Sequence, residues 1–361
     1  MDFIDLKTQQ KLLREDIDAA IAKVLDHGKY ILGPEVKECE KQLAEFVGVK
    51  HCITVSSGSD ALLIALMALG IEAGDEVITV PYTWISTAEM IALIGAKPVF
   101  VDIDPQTFNM DPSKIEDAIT DKTKAIMPVG IYGQCAEMDS INAIASKYEL
   151  PVIEDGAQSF GATYKGNRSC GLSTIGCTSF FPAKPLGCYG DGGAVFTNDD
   201  TLAEKMKWIH VHGQEKPHCH PVLGLNGRFD SIQAAILLLK LSLFEKECEQ
   251  RETIGNRYTA HLSDNKDVEC PYIAEGNTSV YAQYTILAED RDALSETLSD
   301  SKIPNVAYYK EPLHFQPVFR NLGYVKGDFP ITENVASSCL SLPMSAYLSE
   351  ADQDLVLEAL R

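Results

Sequence analysis

The feature that most constrains this 361-residue chain is an alternation of short apolar runs and helical patterns between Cys52 and Asn198. The runs are almost continuously apolar, as expected for strands buried on both faces of a mainly parallel sheet. Helical patterns between them, such as residues 85–94 and 138–148, predict right-handed crossovers and an α/β fold. The predicted strands are residues 52–55, 77–80, 98–103, 124–129, 151–154, 177–181 and 194–197.

A second region follows a long helical pattern that runs from residue 231 to about 262. In that region, residues 279–287 predict a strand, and residues 292–299 and 351–360 predict helices. A chain of this length can form one large domain and a smaller one. The change in pattern predicts a large domain over residues 1–245 and a small C-terminal α/β domain over residues 246–361.

Composition and charge narrow the possible partners. The chain has 31 Lys and Arg against 52 Asp and Glu, a net charge of −21, which disfavours binding to nucleic acid or to an anionic membrane surface. No apolar run approaches the roughly 18 residues of a membrane span, and the first residues lack a signal-peptide pattern. The ten cysteines are scattered without a C-x-x-C pair. Together these features predict a reduced, cytoplasmic protein.

Ligands of open α/β sheets bind beyond the carboxyl ends of the strands, and the first predicted strand ends in a run of small residues. Gly58 and Ser59 would lie at the N-terminus of the next helix, where free N–H groups and the helix dipole favour a phosphate. Ser179, at the end of a later strand, could add a hydroxyl. A simple helix cap is the alternative, because Ser and Asp are favoured there.

Two further segments carry reactive groups. Asp155 ends a buried strand, where a carboxylate needs a partner. The partner is either a protonated pyridine nitrogen or an ordinary Arg or helix cap. Lys184 lies between two prolines and two predicted strands, whereas a loop lysine is usually solvated. Trp84 either packs in the core or stacks on a flat ring.

Together these segments resemble the DegT/DnrJ/EryC1/StrS family of sugar aminotransferases, which have the aspartate-aminotransferase (type I) fold. The likeness extends from Tyr30 to Met344. Its motifs are Ser57-Gly-Ser-Asp-Ala61, Glu154-Asp-Gly-Ala-Gln158, the Lys184 segment, Asn226-Gly-Arg228 and Gln233-Ala-Ala235. In two positions the chain departs from the family pattern: Trp84 stands where Tyr or Phe is frequent, and Ala183 stands where Ser is common.

The resemblance implies that Lys184 holds pyridoxal 5′-phosphate as a Schiff base and moves protons, while Asp155 pairs with the pyridine nitrogen. It also implies a homodimer with shared active sites, because Asn226 would reach the cofactor phosphate of the neighbouring subunit. The cofactor-binding residues implied are Gly58, Ser59, Trp84, Asp155, Gln158, Ser179, Lys184 and Asn226, and the substrate-binding residues are Arg228, Tyr309 and His314.

The resemblance further implies a reaction in two halves. Glutamate leaves its amino group on the cofactor as pyridoxamine phosphate and departs as 2-oxoglutarate, and a nucleotide-linked keto sugar then receives the amine. The stretches 132–136, 179–193 and 279–284 are most like those of enzymes for UDP-2-acetamido-2-deoxy-3-oxo-glucuronate in bacterial surface-polysaccharide synthesis, of the O-antigen type.

Other functions compete with this interpretation. A dTDP-linked 3-keto or 4-keto sugar is an alternative substrate. A dehydratase of this family would carry His in place of Lys184, and a non-catalytic regulatory protein would be expected to have lost Lys184 or Asp155. A metal site at His218-Cys219-His220 is disfavoured because adjacent ligands rarely converge on one ion, so no metal is predicted.

Overall fold

The computed structural model of the protein describes residues 1–360. Its α-helices are α1 (Lys7–Leu12), α2 (Arg14–His27), α3 (Pro34–Val47), α4 (Gly58–Leu69), α5 (Ser86–Leu93), α6 (Ile115–Ala118), α7 (Met138–Lys147), α8 (Asp200–Ile209), α9 (Ser231–Leu262), α10 (Arg291–Asp300), α11 (Pro330–Ser338) and α12 (Glu350–Ala359). Short 3-10 helices span Pro112–Lys114, Ile131–Gly133, Leu313–Phe315 and Pro317–Leu322.

The strands are β1 (His51–Val55), β2 (Glu76–Thr79), β3 (Lys97–Phe100), β4 (Thr123–Ile126), β5 (Ile153–Asp155), β6 (Thr163–Tyr164), β7 (Asn167–Arg168), β8 (Ile175–Ser179), β9 (Gly193–Thr197), β10 (Val268–Glu269), β11 (Tyr284–Ala288) and β12 (Cys339–Leu342).

Seven strands form the central layer in the order β1-β9-β8-β5-β4-β2-β3. Two parallel bridges, Ile126 with Val152 and Val129 with Asp155, join β4 to β5. Strand β9 is antiparallel to both of its neighbours, and the other pairs are parallel. The mainly parallel α/β sheet and all seven predicted strands are therefore confirmed.

The strand predicted over residues 279–287 begins only at Tyr284. The preceding residues bond to the large domain instead: the N–H of Thr278 donates to the carbonyl of Thr163, and the N–H of Val280 donates to that of Gly133. Tyr281 has a positive φ of 39°, which a regular strand does not allow. Residues 278–283 thus connect the two halves of the molecule.

Helix α9 runs without a break for 32 residues, so a domain boundary at residue 245 lies inside a helix. Its first half packs on the aromatic core around Phe160. Its second half, through Ile254 and Tyr258, packs on the antiparallel sheet β10-β11-β12. The core that the helix contacts therefore changes near the predicted boundary, but the chain has no linker there.

The C-terminal part also reaches back onto the large domain. Phe319 and Phe329 pack against Phe100 of β3. The carboxylate of Asp102 accepts hydrogen bonds from the N–H groups of Ile331 and Thr332, both at 2.9 Å, at the start of α11. Within residues 1–360, no helix combines the length and the apolar character that crossing a bilayer requires.

Candidate active site

A cavity of about 380 Å³ lies at the carboxyl ends of β5 and β8, beside the N-terminus of α4. This is where an open α/β sheet places its ligand. The N-terminal segment contributes Ile4 to its wall, and the C-terminal part contributes Gln283, Tyr308 and Tyr309. The cavity is therefore built from three separate parts of the chain.

Two charged groups meet in this cavity. Asp155 ends β5 and is buried, and its Oδ2 accepts a hydrogen bond from the Thr87 hydroxyl at 2.8 Å. Burial raises the pKa of Asp155, although the bonds from Thr87 and from the Ala157 N–H and the charge of Lys184 act in the opposite direction. Burial lowers the pKa of Lys184, and the charge of Asp155 opposes that shift. The lysine is thus biased toward the neutral amine that nucleophilic and base chemistry require.

The start of α4 has the features of a phosphate site. The Ser57 hydroxyl caps the helix by accepting from the Asp60 N–H at 3.0 Å, which leaves the amides of Gly58 and Ser59 at the open end. A Cβ on Gly58 would lie 2.6 Å from the Cβ of Ser179, so only glycine allows this approach. The helix cap and the phosphate site are therefore compatible, because different groups serve them.

Gln158 and Tyr309 form a hydrogen-bonded pair on the cavity wall. The N–H of Tyr132 donates to Gln158 Oε1 at 3.0 Å, and Gln158 Nε2 donates to the Tyr309 hydroxyl at 2.8 Å. The Tyr309 ring stacks on the ring of Tyr132, with centroids 6.3 Å apart. Both side chains are held in one orientation by these contacts. Trp84 stands at the rim of the cavity with 60% of its surface exposed, so it is not a core residue.

Three of the predicted residues lie outside the cavity. Asn226 is exposed, and its backbone forms an antiparallel β-bridge with Val211. The backbone of Arg228 forms a similar bridge with Val55. His314 is only 2% exposed. Its ring packs at 4.9 Å from Phe329, and its Nε2 lies 3.3 Å from Glu333. His314 is therefore enclosed by aromatic neighbours outside the cavity, and its predicted contact with the substrate stays a prediction.

The sequence did not single out Thr87, Gln283 or Ile4 as site residues. Thr87 follows Trp84 by three residues and lies in the first turn of α5, so its nearness to the site could have been inferred. Ile4 and Gln283 carry no local signal, since only the packing of distant segments brings them to the cavity.

The residues of this cavity fit pyridoxal 5′-phosphate. A buried carboxyl group that has only a hydroxyl, a backbone amide and the amino group of Lys184 near it suits a protonated ring nitrogen. The open end of α4 beside Ser179 suits the phosphate. Within residues 1–360, no three His, Cys, Asp or Glu side chains are grouped as metal ligands.

Comparison with known proteins identifies the chain. The profile of the DegT/DnrJ/EryC1/StrS aminotransferase family matches residues 11–361. The chain belongs to this family. The aminotransferase is similar over its whole length to the UDP-2-acetamido-2-deoxy-3-oxo-D-glucuronate aminotransferase of Pseudomonas aeruginosa, with 52% identity covering 100% of this chain and 99% of that protein.

Two other relatives have different descriptions. A pleiotropic regulatory protein of Geobacillus stearothermophilus is 47% identical, covering 98% of this aminotransferase and 96% of that protein. A dTDP-3-amino-3,4,6-trideoxy-alpha-D-glucose transaminase of Streptomyces venezuelae is 36% identical, with coverage of 99% and 95%.

Solved structures confirm the fold and the cofactor. A family member from Brucella abortus superimposes with a TM-score of 0.97 at 44% identity, covering 100% of this aminotransferase and 98% of that chain. NtdA of Bacillus subtilis, solved with its bound cofactor PMP, has a TM-score of 0.90 at 34% identity, covering 96% and 80%. The aminotransferase is pyridoxal-phosphate-dependent, as predicted.

Proposed function

We propose that this aminotransferase transfers the amino group of L-glutamate to UDP-2-acetamido-2-deoxy-3-oxo-D-glucuronate, in the synthesis of a bacterial surface polysaccharide. The observation that carries the proposal is the 52% identity, over the whole chain, to an enzyme named for that substrate. The cavity supports it, since Lys184 and Asp155 line it together. Free thiols at all ten cysteines are consistent with action in the cytoplasm.

We propose the following roles for the residues of the cavity. When bound, pyridoxal 5′-phosphate supplies the carbonyl that captures an amine and the ring that accepts the electron pair of the reacting carbon. Asp155 keeps the ring nitrogen protonated, and Lys184 carries the proton at the reacting carbon. The amides of Gly58 and Ser59 bind the phosphate together with the Ser179 hydroxyl.

Three more residues complete the proposed site. Trp84 stacks on the ring from the cavity rim. Gln158, fixed by the Tyr132 N–H, lies against the cofactor, and Tyr309 borders the sugar. This arrangement keeps each polar atom of Gln158 bonded to the protein.

The proposed working unit is a homodimer with shared sites. Asn226 and Arg228 lie outside the cavity of their own chain. Arg228 Nε is buried and has no hydrogen-bond partner in the described part of the chain. Two exposed apolar side chains lie close to them. Leu223, three residues before Asn226, is 86% exposed, and Ile31, whose backbone pairs with that of Asp230, is 45% exposed. A second copy that covers this face would bring Asn226 and Arg228 to the neighbouring cavity.

Two alternatives have specific support. The 36% identity to a dTDP-sugar transaminase favours a dTDP-linked keto deoxy sugar as the second candidate. The relative described as a pleiotropic regulatory protein favours a role without turnover. The presence of both Lys184 and Asp155 in one cavity argues for turnover.

The test separates these possibilities in two steps. The protein is loaded with pyridoxal phosphate and mixed with glutamate, and the absorption spectrum follows conversion to the pyridoxamine form. After glutamate is removed, UDP-2-acetamido-2-deoxy-3-oxo-glucuronate is added, and recovery of the pyridoxal spectrum with an aminated sugar in the mass spectrum supports the proposal. Recovery with a dTDP-keto sugar alone would identify the second candidate. Failure of the glutamate step would contradict the donor, and Lys184→Ala is the control that forms no covalent cofactor adduct.

A further inference from the structure

Within residues 1–360, the carboxamide of Gln283 has no hydrogen-bond partner. It lies just before β11, lines the cavity beside Tyr308 and Tyr309, and is 9% exposed. Its Oε1 is buried and accepts no hydrogen bond. Only its backbone is anchored, through the N–H that donates to the carbonyl of Tyr132 at 3.4 Å.

Two other glutamines in the same region behave differently. Gln158 uses both of its carboxamide atoms, as described above. Gln134 donates from Nε2 to the carbonyl of Tyr272 at 3.0 Å and accepts at Oε1 from the N–H of Ala274 at 2.7 Å. Buried polar groups are nearly always paired, because leaving one unpaired is costly. Gln283 lines the active-site cavity and a much smaller cavity beside Tyr132, and only the first has room for a ligand that would complete its unpaired carboxamide.

The chemistry of a carboxamide indicates which ligand. It offers one acceptor oxygen and two N–H donors side by side, and another amide, with its own C=O and N–H, complements that pattern. The proposed substrate has two such groups, the imide of the uracil ring and the acetamido substituent on the carbon next to the keto carbon, and only the second lies beside the reacting atoms. The groups proposed for the keto carbon, Lys184 and Asp155, line the same cavity as Gln283.

We propose that Gln283 binds the acetamido group of the sugar and thereby selects 2-acetamido substrates over 2-hydroxy ones. This inference rests on the proposed function. It concerns a specificity-determining residue, since Gln283 contacts a substituent beside the reacting carbon. A dTDP-linked deoxy sugar without an amide at that carbon would leave Gln283 unpaired and would be disfavoured.

The experiment compares two UDP-linked 3-keto sugars, one with a 2-acetamido group and one with a 2-hydroxyl, on the pyridoxamine form of the whole enzyme. In the wild type, kcat/KM favours the acetamido sugar. In Gln283→Leu, kcat/KM for the acetamido sugar is expected to fall roughly 10- to 100-fold, and the ratio between the sugars to fall with it, because the substrate amide loses its partner. Gln283→Glu keeps the side-chain shape but loses the N–H donors, and the same fall in the ratio is expected.

Thermal unfolding and a matched variant separate specificity from structure. Gln283→Leu removes an unpaired group, so its melting temperature is expected to equal or exceed that of the wild type. Gln134→Leu leaves the Tyr272 carbonyl and the Ala274 N–H without a partner, so it is expected to melt at a lower temperature. It is expected to keep the wild-type ratio of kcat/KM between the two sugars.

The outcomes separate the two proposals. An unchanged ratio in both Gln283 variants, with the wild type active on the acetamido sugar, would overturn the role of Gln283 and leave the proposed function standing. A wild type that converts glutamate but does not aminate the acetamido sugar would overturn the proposed substrate and this inference with it.

Discussion

Burial of the Asp155 carboxyl lowers the stability of the folded protein, and the same carboxyl has a proposed role in binding the cofactor. Its carboxyl is buried and holds a raised pKa, so the native protein keeps this proton at pH values where the unfolded chain has released it. Stability therefore falls as pH rises from the ordinary carboxyl pKa of 3.8 through the raised value. A bound cofactor with a protonated ring nitrogen would offset that cost.

This residue yields the first prediction. Asp155→Asn without cofactor is expected to melt at a higher temperature than the wild type at pH 7, and the difference should vanish toward acid pH, where the native carboxyl is protonated as well. With cofactor, transamination by the variant is expected to fall about 100-fold or more, as for loss of one partner of a buried charge pair. Calorimetry across pH and single-turnover spectra measure the two effects.

The neighbouring Glu154 provides the matched control. It is buried, its pKa is also raised by burial, and it accepts from Ser169 and Cys170 on the side away from the cavity. Glu154→Gln is expected to change stability in the same direction and to keep the transamination rate. Full activity in Asp155→Asn would contradict the proposed pairing with the ring nitrogen.

At the scale of elements, helix α9 positions the loop that carries Lys184. Gln233, Lys240 and Glu247 are spaced seven residues apart and so lie on one face of the helix. Gln233 bonds to both the N–H and the carbonyl of Tyr189 at 2.8 and 3.1 Å, and the Lys240 ammonium donates to the carbonyl of Gly187. Glu247 accepts from Gln9 of α1 and from Tyr347. Helix α9 thus connects the loop that carries Lys184 to residues near both ends of the chain.

The second prediction concerns the buried cation on this helix. Burial lowers the pKa of Lys240 from its ordinary 10.5 to about 8. Between these values the unfolded chain binds more protons than the native protein, so this residue makes stability rise with pH over that window. In Lys240→Met that rise is expected to disappear, and denaturant unfolding at pH 8 and at pH 10 measures it.

Lys246 serves as the control for that measurement, since it lies on the exposed side of the same helix. Lys246→Met is expected to keep the wild-type pH dependence between pH 8 and pH 10. If Lys240→Met also keeps it, the buried ammonium does not titrate as described.

At the scale of the whole molecule, the proposed homodimer with shared active sites leads to a prediction about mixed subunits. Lys184→Ala and Asn226→Ala proteins are each expected to be nearly inactive. When the two are unfolded together and refolded, half of the dimers are mixed and each mixed dimer has one intact site, so about a quarter of wild-type activity should return. Activity of the mixture and light scattering of the products measure the recovery and the dimer.

A contrary result has a clear meaning. If Asn226 acted within its own chain, every site of the mixed dimer would carry one lesion and no activity would return. Two wild-type samples taken through the same refolding set the reference for recovery.

The sequence alone determined the seven strands of the sheet and the helices predicted between them and, through its resemblance to a known family, the cofactor. Those features depend on local periodicity and on short motifs such as those around Gly58, Asp155 and Lys184. Local patterns did not determine where each strand ends. The strand predicted over residues 98–103 stops at Phe100, where the chain leaves the ladder.

Only the tertiary structure decided which distant residues share the cavity. The family resemblance predicts His314 as a substrate-binding residue, yet Phe315 and Phe329 pack against its ring outside the cavity. Gln283 lies in a predicted strand, yet the residues before it bond to the backbone of Thr163 and Gly133, and this pairing brings Gln283 to the cavity. Such contacts join residues far apart in sequence, and they depend on how whole elements pack, which no local pattern encodes.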